Sequence, residues 1–223
     1  FDSIGESESS DDINSVNLYS FIRNHIVEPY TVFSGREFIE LYADKRVVYV
    51  QAWLVFTKRE FLLKNNIRFL PNAYYEDMAF HYSCMMKAER IMYIPKPFHV
   101  RLYREGSIMN TSLNARKICS VYEIIKEMYF SLLNNGKQYD CLWINYLLHL
   151  MDVINRTVLK NVSRKDIKAA KSHYKEITEL QRDVIIIYYN LLSFMGEKIS
   201  NFSKTLEFID EITTPFGWFT AET

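Results

Sequence analysis

The feature that most constrains this chain is a change of character near Asn110. From residue 112 to 212 one helical pattern follows another and no segment reads as a strand, whereas the preceding residues alternate helical and strand signals. Such patterning predicts an α+β fold, predominantly helical, with a mixed α/β segment followed by a helical C-terminal bundle. Its 223 residues amount to one large domain or two small ones, at about 150 residues per domain. The expected divisions are an acidic leader and short helix over 1–29, a mixed segment over 30–112 and a helical extension over 113–223. With 48% hydrophobic and 15% aromatic residues the chain can bury a core, which excludes disordered, collagenous and disulfide-stapled classes.

Charge excludes another class. Lys plus Arg and Asp plus Glu each number 27, and a neutral chain is not one that tracks a phosphate backbone, so no nucleic-acid partner is expected. The balance conceals a split. Residues 1–22 hold five acids and no Lys or Arg, which leaves 27 basic against 22 acidic residues elsewhere, or +5. The Ser- and Asp-rich first dozen residues read as a solvated leader or loop of something longer.

Helical spacing over residues 18–28 predicts a short helix ended by Pro29. Ser34 and Glu37 form a capping box in front of a helix that ends near Asp44. The β-branched and aromatic run over 47–56 reads as a buried strand, or a strand and a bend. Thr57 and Glu60 suggest a second capping box, for a helix stopping at Asn65-Asn66. Pro71-Asn72 turns the chain into a helix over 74–90, and residues 91–94 and 97–103 read as short strands. Further helices are expected at 113–133, 138–160, 164–180, 182–195 and 202–212, with Asn134-Asn135-Gly136 between the first two, a Ser163/Asp166 cap on the third and Gly196 ending the fourth.

Common catalytic and metal templates are absent: there is no HExxH, GxSxG or phosphate-binding P-loop, and the five histidines are scattered singly. Cys84, Cys119 and Cys141 are odd in number and widely spaced, which argues against a disulfide framework or a CxxC metal site and for a reducing compartment. No stretch reaches about 18 uninterrupted apolar residues, so no membrane span is expected. Residues 184–195 and the aromatic stretch 215–219 suit a buried helix or one lying in a membrane interface.

One window carries a resemblance. Trp53, then TKREFLLKNNIRF (57–69), YYEDMAF (74–80) and AERIMYIPKPFHVRLYREGSI (88–108) follow one another in an order and spacing that resemble the second half of the catalytic domain of family 2 glycosyltransferases, over about residues 30–112. The resemblance implies a partial GT-A-like segment ahead of the helical bundle. It further implies an inverting transfer from a nucleotide-sugar donor to a glycan or lipid-linked acceptor, as in bacterial polysaccharide, capsule or lipopolysaccharide synthesis.

Such chemistry needs a general base for the acceptor hydroxyl, and a carboxylate suits that role. By resemblance the base is Asp77, with Glu76 beside it orienting the acceptor or the base; read from the residues alone, the pair simply caps a helix. Arg101 and Arg104, with Ser107 as a hydrogen-bond donor and Gly106 allowing close approach, are the candidates for the departing diphosphate. The alternative is an exposed hairpin flanked by two arginines. Trp53 is the candidate acceptor-binding aromatic, or else a core residue. An Asp-x-Asp that would hold Mg or Mn against the diphosphate has no counterpart in this sequence, so metal ligands are expected mostly outside it and no metal-binding residue is assigned here. The resemblance places such a protein in the cytoplasm, at the inner face of the membrane where the acceptor is lipid-linked, with the helical tail available for self-association. The rival readings are a non-catalytic helical interaction domain and, third, a membrane-peripheral one.

Overall fold

The computed structural model describes residues 1–7, 26–45, 49–103, 114–157 and 173–194. Among the described residues there are six α-helices and two two-stranded sheets, a predominantly helical α+β architecture. The chain divides into two compact units, one of Phe1–Phe69 and Phe80–Ser112, the other of Leu70–Ala79 and Leu113–Thr223.

In the first unit, β1 (Asp2–Ser7) runs parallel to the strand Pro97–Tyr103, with Ser3 opposite His99 and Gly5 opposite Arg101. The acidic N-terminal stretch, expected to be solvated, thus contributes a strand. Asp2 is 6% exposed, and its carboxylate accepts from the Tyr93 hydroxyl, which lies 2.7 Å from both oxygens. A buried carboxylate is tolerated when it is hydrogen-bonded in this way.

β2 (Val32–Phe33) pairs antiparallel with β3 (Ile91–Met92), and Pro97–Tyr103 is β4. The helix α1 (Gly35–Lys45) starts at the expected capping box: Ser34 N–H donates to Glu37 Oε2 at 2.7 Å, and Glu37 N–H donates to Ser34 Oγ at 3.3 Å. These bonds from Ser34 hold the Glu37 carboxyl below its usual pKa. Gly35 is required by packing. A Cβ there would overlap the Met85 carbonyl, and Gly35 N–H donates to Ala88 O at 2.8 Å.

Two expectations fail between these elements. No strand occurs over the described part of 47–56, where Ala52–Leu54 instead forms a 3-10 turn. β-branched and aromatic residues favour any half-buried surface, and Val50 and Leu54 are buried there without a ladder. The helix α2 (Arg59–Lys64) begins from Lys58, whose carbonyl accepts from Phe61 N–H at 3.1 Å and whose side chain makes no cap bond, so the Thr57/Glu60 box is not used. Its end is as expected: Asn65 is the C-cap, and Asn66 takes φ 50°, a left-handed conformation asparagine tolerates.

Helix α3 (Asp77–Lys87) is shorter than the predicted 74–90. Phe80 and Cys84 on it cluster with Ile67, flanked by Ala52, Phe61 and Leu62, and the Phe69 ring stacks on Phe80 at 4.1 Å.

The second unit is built on α4 (Ala115–Asn134), α5 (Cys141–Thr157) and α6 (Tyr174–Phe194). Asn114 caps α4 by accepting from Lys117 N–H at 3.0 Å, and Gly136 leaves it at φ 64°, the predicted break. Ile118, Val121, Tyr122, Ile125, Met128 and Leu132 form the buried stripe of α4. On α5 the buried residues include Trp143, Ile144, Leu147, Met151 and Ile154, and on α6 they are Ile177, Val184, Ile187 and Leu191. Asn190 Nδ2 donates to Tyr129 Oη at 3.0 Å, and Lys126 pairs with Asp183, joining α4 to α6.

The predicted break between 180 and 182 is absent, and α6 is continuous. Leu180, Gln181 and Arg182 are good helix formers, and no Gly or Pro interrupts them. Residues 26–28, the expected end of a first helix, form a turn and bend, and the rest of that helix lies outside the described residues. The Ser163/Asp166 cap, Gly196 and the 202–212 helix also lie outside them.

Candidate functional site

The Glu76-Asp77 step lies at the start of α3, with Asp77 its first residue. Both carboxylates are half-buried. The approach to them is conformationally costly. Asn72 takes φ 56° and Tyr75 φ 64°, and Met78 N–H donates back to Tyr75 O at 3.1 Å. Asparagine accepts the left-handed region easily, but a bulky tyrosine does so only when its surroundings impose it. The cost of such a residue is about 1–3 kcal/mol, and residues of this kind gather at functional sites.

The first turn of α4 contacts the segment that leads to Tyr75. Arg116 donates to the Asn72 carbonyl through Nε at 2.9 Å and through a second guanidinium nitrogen, and its Nη1 lies 3.6 Å from Glu123. Lys117 Nζ sits 5.8 Å from the centre of the Tyr74 ring, a cation–π contact. Lys117 is 4% exposed, and this burial lowers its pKa. The Tyr75 phenol is raised, first by burial and then by Tyr74. A pair of carboxylates therefore lies at a helix N-terminus, a position that suits acidic residues. Two tyrosines and two cations hold the turn that leads into it.

Sequence reasoning singled out Glu76 and Asp77 but missed Arg116, Lys117 and Tyr75. A signal for the first two existed. The opening turn of α4 carries no acid and two bases, the reverse of what a helix dipole prefers, which marks those cations as engaged elsewhere.

Trp53 occupies the 3-10 turn of the first unit and stacks on the His99 imidazole, with centroids 4.4 Å apart and planes 24° apart. The fully buried Ser3 places its Oγ 3.2 Å from His99 Nδ1. Arg101 follows two residues later on β4. The site residues expected from the sequence therefore form two groups in the described residues, Glu76 with Asp77 in the second unit and Trp53 with the β4 strand in the first. Arg104, Gly106 and Ser107 lie outside the described residues.

Among the described residues no three His, Cys, Asp or Glu side chains come together as a metal site. No helix among them is long and apolar enough to cross a membrane. The three cysteines are free, Cys84 and Cys119 buried and Cys141 exposed. Burial pushes the Cys84 thiol up to about 12 and, as the largest cause, the Cys119 thiol up to about 11.

No family model, no curated protein and no solved structure matches this chain.

Proposed function

We propose that this chain is the C-terminal portion of a bacterial inverting glycosyltransferase of the GT-A type. It transfers a sugar from a nucleotide-sugar donor to a glycan or lipid-linked acceptor in cell-envelope polysaccharide synthesis. The observation that carries the reading is the Glu76-Asp77 step opening α3, directly after a tyrosine held in the left-handed region. The ordered motifs from Trp53 to Ile108 add to it.

In this reading Asp77 accepts the proton of the acceptor hydroxyl as that oxygen attacks the anomeric carbon. The bond from that carbon to the donor phosphate oxygen breaks, and the nucleoside diphosphate leaves with the electron pair. Glu76 orients the acceptor or the base. Arg101 and Arg104 meet the leaving diphosphate with bidentate guanidinium bonds, and Ser107 adds a donor. Trp53 offers an aromatic face to the acceptor sugar. A divalent Mg or Mn ion would neutralise diphosphate charge in such an enzyme. The described residues assemble no ligand set for it.

The second reading, a helical interaction domain, draws on the closed core of α4, α5 and α6. It predicts an apolar docking face on the tail. In the described part of α6 the exposed large apolar residue is Ile186. Transfer assayed with the nucleotide-binding half on the same polypeptide separates the two: activity that depends on Asp77 supports the first, and activity indifferent to it removes the base assignment.

A further inference from the structure

Four basic side chains, Lys58, Arg59, Lys64 and Arg68, are exposed on and around α2, against a single acid, Glu60. Among the described residues neither Arg59 nor Arg68 has a carboxylate partner. Between them lies an open cleft of about 280 Å³ lined by Arg59, Leu62, Leu63, Asn66, Ile67 and Arg68. Its lining combines three aliphatic side chains with two arginines and an asparagine. Leu63 projects outward, 61% exposed, although Phe61 and Leu62 beside it pack on the Ile67 cluster. Phe56 and Phe69, at the two ends of the same stretch, are 79% and 46% exposed.

An exposed leucine between two arginines that have no carboxylate partner among the described residues suits an apolar layer beneath a sheet of anions. Guanidinium groups are matched to phosphate by their planar fork of donors. A second cleft among the described residues offers a contrast. It is lined by Leu70, Pro71, Glu123, Lys126, Glu127, Phe130 and Leu180, and its two carboxylates would repel such a layer.

We infer that the α2 face, centred on Arg59, Leu63 and Arg68, docks this protein on a bilayer containing anionic phospholipid. The arginines take the headgroup phosphates, and Leu63 enters the boundary between headgroups and acyl chains. This is a different surface from the apolar tail segments that the sequence suggested for membrane contact.

The test is co-sedimentation of the full chain with vesicles of phosphatidylcholine alone or mixed with phosphatidylglycerol, at low and high salt. Binding is expected only with phosphatidylglycerol, and weaker at high salt. Arg59→Gln and Arg68→Gln should each lower partitioning about five-fold, and together about 25-fold. Leu63→Ser should lower it at both salt concentrations. All three side chains are exposed, so circular dichroism should be unchanged in every variant. Four outcomes overturn the inference: no vesicle binding by the parent chain, binding unchanged in the double arginine variant, binding lost only on Trp218→Ser in the tail, or a dimer in sedimentation equilibrium that Leu63→Ser dissolves while vesicles go unbound.

Discussion

The two units manage their apolar residues in opposite ways. The helical unit hides them in stripes along α4, α5 and α6. The mixed unit leaves many outside: of the eleven large hydrophobic residues exposed among the described residues, eight (Tyr30, Val32, Phe56, Leu63, Phe69, Met92, Phe98 and Val100) belong to it. Helices satisfy their own backbone and can close a core from three amphipathic faces. Two sheets of two strands each bury little, and their stability rests on particular contacts such as the Tyr93 bond to Asp2. The helical unit should therefore respond to lost volume, and the mixed unit to lost geometry.

That contrast can be tested from the largest expected effect downward. Trp143→Ala empties a fully buried site and should cost about 4 kcal/mol, with hydrogen-exchange protection lost across α4 and α5. If that loss is small, the helical core is not the rigid part of the molecule. Gly35→Ala removes no volume, yet forces a Cβ against the Met85 carbonyl, and should cost about 3 kcal/mol by urea denaturation, with protection lost in α1 and the later turns of α3. An unaffected stability would refute geometric control of the mixed unit.

Alkylation at neutral pH should modify Cys141 rapidly and spare Cys84 and Cys119, whose buried thiols titrate far above neutrality. Because Cys84 titrates higher folded than unfolded, its contribution is complete below the unfolded thiol pKa and declines as pH rises through that value towards about 12. The smallest effect lies at the capping box. Glu37 has a lowered folded pKa, so its contribution is present above the unfolded carboxylate pKa and fades as pH falls through the folded one. Ser34→Ala should return the Glu37 titration, followed by NMR, towards its ordinary value.

What was legible in the sequence was local. The Ser34/Glu37 box, the Asn134-Asn135-Gly136 break and the strands at 91 and 97 were all signalled by residues a few positions apart, and all appear. What was hidden depends on distant partners. β1 sits in an acidic, Ser-rich stretch, and nothing nearby announces that Asp2 will meet Tyr93, 91 residues on. The run after Val47 has strand composition but no ladder beside its described residues. At the candidate site the Glu-Asp pair was visible as a motif. The left-handed Tyr75 and the hold of Arg116 on Asn72, 44 residues away, were not.

The measurement that bears most directly on this account is the rate of glycosyl transfer by Asp77→Asn on a polypeptide that includes the nucleotide-binding half. Loss of a general base predicts a fall of about 10²- to 10⁴-fold with nucleotide affinity retained. A rate equal to that of the parent would contradict the role given to Asp77, and would leave the Glu76-Asp77 step as a helix cap.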